Sequence, residues 1–244
     1  MMQILSKNIS ISRFYSFIGV CAVSALLASC SGQVPTHNEI QQDNLDSRAK
    51  QLVRVPDTTR ESGDMANAMQ LYARAADMRQ DWFVPRLRLG ETALSVGQYP
   101  DALLAFESTA QLAPKDNRGH NGAGVVLDLL GMHDEAQQRY ISGMEQAPDN
   151  GPLRNNLGLS LALSGDYEAV IELLESAVTR QPDDVRTRQN LALVYGLSRN
   201  ENRARSISAD VMSKAVIDNN IAFYAKLRNM SPADRTKAVF GILK

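Results

Sequence analysis

What this 244-residue chain lacks narrows its chemistry first. It has two cysteines, Cys21 and Cys30, and none from Ser31 to Lys244. A body without thiols holds no disulfide framework, no thiolate zinc site and no cysteine nucleophile. Charge of one sign is also missing, since 26 basic against 27 acidic residues leave a formal net charge of −1. Nucleic-acid recognition wants a basic excess and a membrane-surface patch wants clustered Lys and Arg, and the sequence offers neither. No apolar run is long enough for a full membrane span: Phe14 to Ser29 is uncharged for sixteen residues, where roughly 20 are needed. Yet 44% of the chain is hydrophobic, which excludes compositional disorder.

That short apolar run has a context. Lys7 and Arg13 precede it, no acidic residue occurs before Glu39, and small residues close it. A basic start, an apolar middle and a small-residue end describe an export signal over residues 1–29. Its last residues, Leu27-Ala28-Ser29-Cys30, resemble the lipobox of bacterial lipoproteins. The resemblance implies that the Cys30 thiol carries a diacylglyceryl group and that cleavage before Cys30 makes it the first mature residue. Several acyl chains together hold a protein at a bilayer where one chain holds weakly. Ser31, rather than Asp, after the cysteine implies transport to the outer membrane, with the protein on its periplasmic face. The alternatives are a plain secretory signal or an uncleaved anchor with an inert Cys30. Residues 30–47 are polar without apolar periodicity and read as the lipidated N-terminus and a flexible tether.

The rest is repetitive. Gly63, Gly97, Gly131 and Gly165 lie 34 residues apart, as do Gly90, Gly124 and Gly158, and Pro114, Pro148 and Pro182. Ala68, Ala102 and Ala136 keep the grid, and so do the rings Tyr72, Phe106 and Tyr140. A 34-residue period with this pattern resembles the tetratricopeptide repeat, a helix–turn–helix unit. In residues 83–114 the first helix predicted ends at Gly97, a C-cap residue, and the second begins near Pro100 and stops at Pro114. Gly90 and Ala102 allow close approach, and Phe106 fills the space beside them. Val170 replaces the small alanine in a later unit and predicts looser packing there. At the flanks, Pro56 predicts a kinked or short helix and Arg199 replaces the turn glycine. The expected fold is all-α: a right-handed superhelical tetratricopeptide solenoid of about five helix pairs over residues 48–215, with capping helices over 216–244.

Catalytic and ligand motifs are sparse. Gly119-His120-Asn121-Gly122-Ala123-Gly124 has the glycines of a phosphate loop but no following Lys-Ser/Thr and no preceding strand. The three histidines, His37, His120 and His133, form no HExxH, and His133 falls in a turn where charged groups are usually solvated. No Gly-x-Ser-x-Gly is present. The sequence therefore reads as a non-enzyme with no cofactor and no metal. What remains is the concave face of the array, lined by first helices. One row on the grid holds Asn121, Asn155 and Gln189, and the next holds Arg88, Gly122, Asn156 and Asn190. An amide offers a peptide main chain both donor and acceptor. Arg118 and Arg186 add charge-assisted contacts, and Leu159 and Leu193 make the groove partly apolar. The alternative is that these amides are ordinary repeat residues facing water.

Lipobox, tether and solenoid together resemble the tetratricopeptide lipoprotein of tight-adherence (Flp pilus) assembly systems, the TadD family. Glu61 to Asp77 (ESGDMANAMQLYARAAD) and Asn219 to Leu227 (NNIAFYAKL) carry the likeness. It implies an outer-membrane assembly factor that grips a protein partner, a secretin pore or another pilus-assembly subunit. Another envelope machine, such as a type IV pilus pilotin or a cell-wall enzyme scaffold, is the alternative, with an unrecognised hydrolase further away. Replacing Cys30→Ser should abolish lipid labelling and release the protein from membranes. Retention with membrane at high salt would instead make the apolar run the anchor.

Overall fold

The 34-residue grid becomes a repeated helical hairpin. In the computed structural model, which describes residues 37–61 and 64–241, there are twelve helices and no strand among the described residues. They pair in chain order: α1 (His37–Glu61) with α2 (Met65–Met78), α3 (Phe83–Ser95) with α4 (Tyr99–Leu112), α5 (Asn117–Leu129) with α6 (His133–Gln146), α7 (Gly151–Ser164) with α8 (Tyr167–Arg180), and α9 (Val185–Leu197) with α10 (Glu201–Ser208). Two more follow, α11 (Lys214–Arg228) and α12 (Pro232–Val239). Each helix from α1 to α11 packs on its chain neighbours. The first helices of successive pairs, α3, α5, α7 and α9, also approach one another, and the second helices do not. That asymmetry curves the array with the first helices inside, the geometry of a tetratricopeptide superhelix.

The turns explain why the grid begins with glycine. Gly97, Gly131 and Gly165 have φ of 77°, 79° and 92°, the left-handed region that suits a residue without Cβ. After each, the next amide reaches back to the first helix: Gln98 N–H to Ala93 O at 2.9 Å, Met132 to Leu127 at 2.9 Å and Asp166 to Leu161 at 2.9 Å. This is a Schellman motif at each turn. The fifth turn makes the same bond, Asn200 N–H to Tyr195 O at 2.7 Å, with Arg199 forced to φ 64°. A non-glycine residue there is strained by about 1 kcal/mol. Short polar side chains then start the helices: Asp116, Asn150, Asp166, Asp184 and Asn200 each accept a backbone N–H of the first turn.

Between paired helices a small residue faces a ring. A Cβ at Gly90 would lie 2.9 Å from the Phe106 ring, and one at Gly124 would lie 2.4 Å from Tyr140 Cε1. Gly158 faces Val170 and Leu174 instead, and α7 and α8 approach less closely than α3/α4 or α5/α6, the looser packing expected from Val170. Val170 is nonetheless wholly buried. The cores between pairs form a run of clusters along the array, from Val53, Ala68 and Tyr72 at one end to Leu191, Ile221 and Tyr224 at the other.

Three expectations change. Residues 37–47, expected to belong to the tether, are helical as the first part of α1. Ala49 and Val53 of the same helix are buried, and an Asp46–Arg79 ion pair joins its middle to the end of α2. α1 also runs unbroken past Pro56, where a kink or a short helix was expected. Finally, α11 caps the stack by packing on α9 and α10, but α12 turns away from it and packs against α5 and α7. The signal, Cys30, the rest of the tether, Gly63 and Leu243 lie outside the described residues. No helix among the described residues is long and apolar enough to cross a membrane.

The Gly124–Tyr140 contact is testable. Gly124→Ala should lower unfolding free energy by about 1–3 kcal/mol in chemical denaturation, because a buried ring must shift. Gly151→Ala is the control and should be near neutral, since its nearest neighbour would be 3.9 Å away.

Candidate peptide groove on the first helices

The candidate groove residues divide into four groups. Asn121 and Asn156 come together: Asn156 Nδ2 donates to Asn121 Oδ1 at 2.8 Å, bridging α5 and α7, with both residues half-buried. Each amide keeps further donor and acceptor capacity for a bound main chain. Arg186 and Gln189 are exposed and Asn190 is half-buried on α9. Arg118 is exposed in the first turn of α5 but already engaged. Its Nε and Nη2 donate to Asp116 at 2.9 and 2.6 Å, and its guanidinium lies 5.7 Å from the centre of the Phe83 ring. The Arg118 bond holds the Asp116 carboxyl below its ordinary range.

Asn155 does not belong to the groove. It is 3% exposed, and its Oδ1 lies 3.1 Å from the Thr187 hydroxyl, which is also 2.6 Å from Asp184 Oδ2. The residue joins α7 to the start of α9 inside the stack. One position along a helix is a rotation of about 100°, enough to carry Asn155 into the core while Asn156 stays at the surface. Leu159 is buried and Leu193 half-buried on the same helices, so the groove floor is apolar.

The glycine-rich segment is resolved by packing. Residues 119–124 all lie in α5, without a loop or a preceding strand. A Cβ at Gly119 would meet the Ala110 backbone N at 2.6 Å, and one at Gly122 the Phe106 ring at 2.5 Å. These glycines let α5 seat on α4; they do not cradle phosphate.

One polar centre gave no signal in the sequence. Asp128, wholly buried in α5, accepts from His133 Nδ1 at 2.7 Å, Tyr140 Oη at 2.9 Å and Ser160 Oγ at 2.7 Å. His133 is therefore a partner of a buried carboxyl group rather than a solvated turn residue. Burial first, and then the Asp128 charge, holds the Tyr140 hydroxyl far above its ordinary range, so it stays a donor. The three donors come from α6 and α7, and the network pins consecutive repeats together. No group of three His, Cys, Asp or Glu side chains suited to a metal occurs among the described residues.

Residues 87–150, from α3 to the N-cap of α7, match the family model described as Tetratricopeptide repeat. Among solved structures, a thermophilic tetratricopeptide protein of Thermus thermophilus is similar at 21% identity and TM-score 0.55, over 73% of this chain and 97% of that one. A tetratricopeptide repeat protein of Parabacteroides merdae is 14% identical with TM-score 0.62, each chain covered over 81%. YrrB, described as a tetratricopeptide protein with an unusual peptide-binding site, is 17% identical with TM-score 0.56, over 78% of this chain and 96% of its own. These likenesses concern the fold. No curated protein sequence matches the chain.

Asp128→Ala should strand two buried donors, Tyr140 and Ser160, and the half-buried His133, and lower stability by about 3 kcal/mol in equilibrium unfolding. Asp128→Asn keeps one acceptor oxygen and should lose less.

Proposed function

We propose that this chain is a lipid-anchored, non-catalytic scaffold of an envelope assembly system, and that its concave face holds an extended or helical segment of a protein partner. The observation that carries the reading is the amide pair Asn121–Asn156 bridging two inner helices above an apolar floor, with Arg186, Gln189 and Asn190 continuing the same face. Amides over apolar side chains suit a peptide: the amides recognise main chain and the floor takes alternate side chains. The fold supports a binding role, since a curved helical array presents an extended surface and no enclosed reaction chamber.

The lipobox resemblance at Cys30 supports an anchor on the periplasmic face of the outer membrane. The order of parts supports tight-adherence (Flp) pilus assembly, with the secretin pore subunit as partner. On this reading lipid fixes the scaffold in the plane of the membrane, which confines the search for the pore subunit and raises its effective concentration. The test is made in cells. Deleting the protein, or replacing Asn121 and Asn156 together by Leu, should reduce secretin multimers and surface pili. Unchanged multimers and pili in the deletion strain would remove the pilus reading.

A further inference from the structure

We propose that the inner face of α5 and α7 is a seat for an amphipathic helix, and that α12 is its resident occupant, displaced when a partner helix binds. This deepens the groove reading above and rests on it only in naming the partner as a protein.

Among the pairs α1–α10, α12 packs against α5 and α7 and does not pack closely on α6 or α8. It therefore lies on the inside of the curve, across two repeats, rather than at the end of the stack. Its buried side is consistent with that seat. Thr236 is 2% exposed, Ala238 and Val239 pack on the cluster that contains Ala162 and Val170, and Phe240 is half-buried. Its N-cap and first turn, Ser231 to Asp234, face solvent. The row beneath the groove, Val125, Leu159 and Leu193 on α5, α7 and α9, is apolar and keeps the 34-residue spacing. An eight-residue helix is too short to persist alone in water, so α12 owes its helicity to its seat.

A clasp sets the direction of return. Arg235 donates to Leu227 O at 3.0 Å, Arg228 O at 3.3 Å and Met230 O at 3.3 Å, carbonyls at and just past the end of α11. Ser231 caps α12 by accepting from Asp234 N–H. The clasp folds the chain back between α11 and α12 and aims α12 into the groove. α12 itself brings few large apolar side chains, so a partner helix with a longer apolar stripe displaces it.

The experiment uses the full chain and a fluorescein-labelled synthetic peptide of residues 231–244. The double variant Val239→Asp with Phe240→Asp should unseat α12 and bind the peptide about tenfold tighter than the unaltered chain, as the occupied fraction of the groove falls. Arg235→Ala, which leaves the apolar face intact, should give an intermediate gain and covers the case in which the double variant fails to fold. Equal binding by all three chains, or binding by none, overturns the proposal. The assay contains no pilus component, so its failure leaves the scaffold reading standing, and failure of the cellular test leaves this result untouched.

Discussion

The close approach of two helices, a backbone without side chain set against an aromatic ring, is the constraint on which the rest of this molecule depends. Gly90 against Phe106 and Gly124 against Tyr140 bring paired helices near enough for the turn to close in one short motif. The turn in turn fixes the angle between helices, and the angle repeated down the chain curves the array. Where the ring is absent, as at Gly158 against Val170 and Leu174, the pair opens slightly, yet the same turn survives. The concave face is thus a product of packing on the opposite side of each inner helix.

Much of the fold was readable in the sequence because it is written several times. One glycine at a turn is weak evidence, whereas four on a 34-residue grid define a period, and Arg199 keeps the period by adopting the conformation of Gly97, Gly131 and Gly165. Features that occur once were harder to read. Asp128 stands where the neighbouring repeats carry Leu94, Ala162 and Gly196, so nothing in the pattern announces a buried carboxyl group. α12 has no counterpart in the grid, and eight residues with one short apolar edge do not say which surface they meet. The first part of α1 shows no apolar stripe because its anchoring residues, Ala49 and Val53, lie further along the helix.

The groove shows the same division. The sequence placed a set of amides and arginines on the inner helices, and the structure leaves all but one of them at or near the surface. Asn155 and Asn156 are adjacent and identical in chemistry, so only the helix phase separates a buried strut from a half-buried amide that bridges two inner helices. Arg118 illustrates a second limit: an exposed cation at the right position is already paired with Asp116 two residues away.

The Asp128 network bears on how the array comes apart. In a linear stack each unit is stabilised by its neighbours, and melting spreads along the weakest couplings. Asp128 ties α5 to both α6 and α7, so the boundary between the third and fourth pairs carries a polar lock in addition to its apolar contact. The fifth pair has a strained turn at Arg199 and a second helix of only eight residues. The lock therefore holds the middle of the array by polar contacts, while the fifth pair leans on the apolar cluster that α9, α10 and α11 share.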